Sequence, residues 1–162
     1  MIKRGEGGIT LIELVVVMSI ITIMGVCLAP AIGEWLENFR IRQAARDIVF
    51  TLQLAKMKAI SSCRECRVVL DATTETYQVQ QGNLSQNSTA WDGEANKQVP
   101  RNVDIVKEAL GFGTTKDNIE FNPNGTSTAG SIFIENTKGK HYRIIILGST
   151  GRIRMKEGWE LN

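Results

Sequence analysis

Few side chains in this sequence are of a kind, and at a spacing, that could make or break a bond. Cys63-Arg64-Glu65-Cys66 has the CxxC spacing of redox and metal sites. A redox pair of that spacing works at a helix N-terminus, where the dipole lowers a thiol pKa, whereas here a helical pattern ends just before it. Zinc would take two further ligands, and the single histidine, His141, supplies at most one. The residues favour a local disulfide between Cys63 and Cys66, or two inert thiols, with a membrane-tethered redox protein as the rival. His141 stands beside Tyr142 in a basic stretch without a nearby cysteine or serine motif, which makes it a surface or edge residue rather than a general base. Gly111-Phe112-Gly113 alone is too short to cradle a phosphate. The expectation is a protein that is not an enzyme and takes neither cofactor nor metal.

Two sets of charges remain. Glu13 is the only charged side chain between Glu6 and Glu34, within an otherwise apolar run. A carboxylate inside a membrane segment costs roughly 2.5–3.5 kcal/mol, so it calls for a partner, for protonation, or for a place near the interface. At the other end, Arg152, Arg154 and Lys156 alternate with Ile153 and Met155, which on a strand puts three cations on one face. From Lys138 to Lys156 there are six Lys/Arg and His141 with no carboxylate. This is either the solvated face of an edge strand or a phosphate-binding ridge extended by Lys138, Lys140 and Arg143. Aromatic side chains that would stack bases are not interleaved with it. The formal net charge of +2 is too small to decide the matter.

The elements that must position these residues are legible from periodicity. Ile9 to Ile32 is 24 residues, which as a helix reaches about 36 Å, enough to cross a bilayer core of about 30 Å. Lys3 and Arg4 place its N-terminal flank in the cytoplasm. A secretory signal peptide would have a shorter apolar core, with its small-residue cleavage site after the core instead of before it. Pro30 and Gly33 mark where the helix bends or loosens. Beyond Glu34, Ile41, Ala44, Ile48, Leu52, Ala55 and Ala59 recur every three or four residues as one apolar stripe, the core face of a continuing helix.

From Arg67 the period changes to two. Strands are expected at 67–70, 76–80, 104–107, 119–122, 131–135, 141–147 and 152–156, with a long polar loop from Gly82 to Gln98. A long helix followed by a strand-rich region gives an α+β domain with an antiparallel sheet. The chain divides into a leader of residues 1–8, a membrane helix of residues 9–33 and a head of residues 34–162.

Gly8 followed by Ile9-Thr10-Leu11-Ile12-Glu13-Leu14 resembles the processing site of type IV prepilins and type II secretion pseudopilins. That resemblance implies cleavage after Gly8 by prepilin peptidase, N-methylation of Ile9, and Glu13 as the fifth mature residue, paired with the Ile9 amine of a neighbouring subunit. Family members usually carry Phe where this chain has Ile9. Ile119-Glu120-Phe121-Asn122-Pro123-Asn124-Gly125, Ser131-Ile132-Phe133-Ile134, Ile144-Ile145-Ile146 and Gly151-Arg152-Ile153-Arg154 look like the FimT/GspH branch of minor pilins and pseudopilins. The resemblance implies a single-pass bacterial inner-membrane protein with a periplasmic head, packed against other pilins or pseudopilins through its N-terminal helix. Gly151-Arg152-Ile153-Arg154 is similar to the GRxR motif of DNA-uptake FimT pilins, which implies DNA contacts by Arg152, Arg154, Lys156, Arg143 and Lys140. The alternative is a GspH-type pseudopilin of a type II protein secretion system.

Overall fold

The computed structural model describes residues 10–106 and 118–158, without the side chains of residues 29–31. One helix, α1 (Leu11–Ser62), contributes to two compact units whose boundary falls between Leu36 and Glu37. It starts where Thr10 caps it: the Thr10 hydroxyl accepts the Glu13 N–H at 3.3 Å, satisfying one donor of the first turn. The helix is continuous through Pro30 and Gly33, so these residues do not end it.

In the first unit, Leu11–Leu28 has a mean hydropathy of 2.6 and none of it is buried. This stretch is long and apolar enough to cross a membrane. Its two hydroxyl residues cost little there, because Ser19 and Thr22 each donate at 2.8 Å to the carbonyl four residues back, Val15 and Met18.

In the second unit the helix packs against two antiparallel sheets. The first sheet is built from β1 (Cys66–Asp71), β2 (Thr76–Gly82), β3 (Trp91–Gly93), β4 (Lys97–Gln98) and β6 (Asn118–Phe121). Its order is β3-β2-β1-β6, with β4 also pairing with β2. The second runs β5-β7-β8-β9, where β5 is Val103–Ile105, β7 Gly130–Asn136, β8 His141–Leu147 and β9 Arg152–Glu157.

All six residues of the expected stripe, Ile41, Ala44, Ile48, Leu52, Ala55 and Ala59, are buried, in one cluster with Val68, Leu70, Val79, Phe121, Ile132, Ile134, Ile144 and Ile146. Three alanines keep part of the stripe low, while the larger Ile41, Ile48 and Leu52 are fully buried in the cluster. Burying each of those three contributes roughly 1.5–3 kcal/mol.

One expectation needs correction. The segment from Gly82 to Gln98 is not simply a polar loop, since it holds β3 and β4. Strands this short carry too little periodicity to read, and they form because the exposed edge of β2 offers its backbone groups to them.

Candidate functional site

The assembly residues come first in the chain. Gly8 and Ile9, the expected processing residues, lie outside the described residues. Glu13 is exposed on the first turn of α1, where a negative charge meets the positive end of the helix dipole. Thr10 and Glu13 have the spacing of a capping box, of which the structure shows the bond from the Glu13 backbone N–H to the Thr10 hydroxyl.

The head part of α1 carries a second apolar row. Phe50, Leu54 and Met57 are 62%, 39% and 67% exposed, and Phe39 is exposed as well. At about 100° per residue these positions fall on the side of the helix opposite Ile48, Leu52 and Ala55. Their i, i+4, i+7 spacing is a helical signal in the sequence, but spacing alone does not distinguish a second exposed stripe from the core face.

The cationic region is narrower than expected. The β8–β9 register pairs Leu147 with Arg152, Ile145 with Arg154 and Arg143 with Lys156, so these six residues share the outer face of the sheet. Arg152, Arg154 and Lys156 are exposed there. Arg143 is only 5% exposed: its guanidinium donates to Ser131 Oγ at 3.1 and 3.2 Å and lies 5.2 Å from the centre of the Phe133 ring. Lys140 turns to Glu157 at 2.8 Å, and Lys138 reaches Glu37 at 3.6 Å. The Glu157 carboxyl is held below its usual pKa chiefly by Lys140. Of the five cations expected to act together, the structure brings Arg152, Arg154 and Lys156 into one exposed row and gives Arg143 and Lys140 other partners. Pairwise register decides this, and sequence proximity does not reveal it.

Gly151, at the start of this row, is buried with φ +57°, a conformation suited to glycine. A Cβ there would also stand 2.6 Å from the Gly125 carbonyl oxygen. Lys56 fixes the turn by donating to the carbonyls of Thr150 and Gly151 at 2.8 and 3.3 Å. The glycine of the Gly-Arg-Ile-Arg run thus sets the hairpin that aims the arginines.

The two cysteines occupy different environments. Cys63 is exposed just past the helix end at φ +54°, and Cys66 is buried on the core side of β1. The structure holds both as free thiols, the second of the two arrangements that the sequence left open. Burial pushes the Cys66 thiol pKa up, the opposite of what a reactive thiolate requires.

Glu65 lies between them. It is 6% exposed, and its carboxylate accepts the backbone N–H of Asn87 at 2.9 Å and of Ser88 at 2.7 Å. Its own backbone bonds to Gly82 and Leu84, which ties the β2–β3 connection to the end of the helix. Gly82 must be glycine here, because a Cβ would collide with the Ser88 hydroxyl. Burial alone would raise the Glu65 pKa, but the hydrogen bonds from Ser88 and Asn87 outweigh it and hold the carboxyl below its ordinary value.

An apolar helix opening on a lone carboxylate, followed by a helix-on-sheet head, is the architecture that the resemblance implied. Residues 44–151, more than half of the chain, match the model of the family described as type II transport protein GspH. The chain belongs to the GspH family. Residues 3–26 also match the prokaryotic N-terminal methylation motif, a region that includes Gly8, Ile9 and Glu13. No curated protein matches the chain. Among solved structures, the minor pseudopilin EpsH from the type 2 secretion system of Vibrio cholerae is similar with a TM-score of 0.58 and 14% identity, over 73% of this chain and 97% of its own. The type IV minor pilin FimU of Pseudomonas aeruginosa is similar with a TM-score of 0.54 and 20% identity, over 75% of this chain and 92% of its own. At such identities the likeness shows the fold, and the fold of this GspH-family chain is that of the type IV pilin-like proteins.

Proposed function

We propose that this GspH-family chain is a structural, non-catalytic subunit of a membrane-anchored filament, cut after Gly8 and methylated on Ile9. The observation that carries this reading is the exposed apolar surface of α1: none of Leu11–Leu28 is buried, and Phe50, Leu54 and Met57 face away from the core of the head. Leaving such side chains in water gains nothing, so each unit presents a helix surface that packing against other subunits or lipid would cover. Cleavage would create a cationic amine on Ile9 beside an apolar helix, and pairing that amine with Glu13 of a neighbour would turn two costly membrane charges into one pair that sets register. The span would be anchored in the inner membrane, with the head on the periplasmic side.

Two variants test this. Glu13→Ala is expected to insert into the membrane but to be depleted from sheared filaments. Phe50→Ser with Met57→Ser is expected to be depleted similarly while the head keeps its denaturation midpoint, because both side chains lie outside the core. Wild-type incorporation of both variants would sink the assembly reading.

A second reading is favoured by the exposed row of Arg152, Arg154 and Lys156, whose charges and common face suit the phosphates of DNA. Under it the filament serves DNA uptake. Without DNA binding, the head's role is contact with other pseudopilins or cargo of a type II secretion system.

A further inference from the structure

The edge of the second sheet is open at β9 among the described residues, and that edge has features that a filament subunit does not by itself need. β9 is a six-residue strand paired along its whole length with β8 on one side. An antiparallel strand paired on one side leaves every second N–H and C=O pointing outward, a template for another strand. Its outer face carries Arg152, Arg154 and Lys156. Its inner face carries Ile153, packed against the core, Met155, which is 36% exposed at the rim, and at the far end Glu157, whose charge is matched by Lys140.

Cations on an edge strand commonly prevent pairing. Here they prevent it selectively. If β9 of a second copy added antiparallel to this one, both cation rows would lie on the same face, opposite each other, and like charges opposite are destabilising. An added strand with carboxylates on that face and apolar side chains on the other would meet attraction on both faces, with Met155 covered. DNA would use the cations but neither the backbone edge nor Met155. The row is also one strand wide, since Lys140 and Lys138 are engaged with Glu157 and Glu37 and Arg143 is buried.

We infer that β9 is a docking edge for an extended segment of a partner protein in which acidic and apolar residues alternate, added to the sheet as a further antiparallel or parallel strand. This inference does not depend on whether the filament belongs to a pilus or to a secretion system.

The test uses the full chain in lipid nanodiscs and three synthetic peptides of the same length and charge. The first alternates glutamate with valine, the second groups the glutamates at one end, and the third replaces the valines with proline, removing backbone donors. The alternating peptide is expected to bind and to slow hydrogen exchange of the β9 amides that face away from β8. The other two are expected to bind at least about tenfold more weakly, since they lack the paired edge or the two-faced pattern. Arg152→Gln with Arg154→Gln is expected to weaken binding of the alternating peptide by about five- to tenfold, as two exposed charge pairs allow. Equal binding of all three peptides would reduce the site to a charge effect and overturn the proposal. So would unchanged β9 exchange at saturating peptide, or binding of duplex DNA with no binding of any peptide. Normal filament incorporation of the double variant would separate failure here from failure of the assembly reading.

Discussion

Replacing Glu65 with glutamine keeps the volume of the side chain and removes its charge. In the wild type the two carboxylate oxygens accept the N–H groups of Asn87 and Ser88 separately. Glutamine keeps one acceptor oxygen, so one of the two N–H groups loses its partner and faces an amide NH2 instead. A hydrogen bond to a charged group contributes about 1.5–3 kcal/mol, which sets the expected loss near 2 kcal/mol. With a urea m-value of about 2 kcal/mol/M, the midpoint of the compact Glu37–Asn162 unit falls by about 1 M. The pH dependence gives a second readout. The folded-state pKa of Glu65 is depressed, so its contribution is fully present above the unfolded-state pKa and is lost as pH falls through the folded value. The gap between wild type and Glu65→Gln is therefore widest near neutrality and closes in acid. Urea denaturation at pH 7 and pH 3, with hydrogen exchange at residues 83–90, measures both effects. A gap below about 0.5 kcal/mol at pH 7, or one that does not change with pH, would refute the role assigned to this carboxylate.

Three further outcomes follow from the sites. Intact mass of the chain from cells with active prepilin peptidase is expected to correspond to a start at methylated Ile9, and retention of Met1–Gly8 would reject the processing proposal. In the DNA reading, Arg152→Gln with Arg154→Gln makes the slope of log K against log salt shallower by up to about 0.9 per lost contact on duplex DNA, and unchanged affinity and slope in the folded variant would remove this face from that reading. A thiol reagent is expected to modify exposed Cys63 in the native head and buried Cys66 only on unfolding, so equal rates would contradict the placement of the two thiols.

The sequence by itself determined what depends on local period and on a single strong solvent preference. The apolar run after Gly8, its lone Glu13 and the stripe from Ile41 to Ala59 specify a long helix, exposed and apolar at one end and core-facing at the other, because helical spacing is fixed at 3.6 residues per turn. The alternating segments from Arg67 onward located seven of the nine strands among the described residues. Tertiary structure decided which residues meet. Lys140 and Arg143 were close in sequence to the β9 cations, yet the strand register turned one to Glu157 and buried the other beside Ser131 and Phe133. Cys63 and Cys66 have a pairing spacing, but the chain passes from a left-handed helix end into a strand between them, which puts one thiol in solvent and the other in the core. Glu65 carries no local signal of its role, and only the return of the chain 22 residues later brings it the backbone donors that make it a structural anchor. Such pairings depend on contacts between residues far apart in sequence, and no local pattern encodes them.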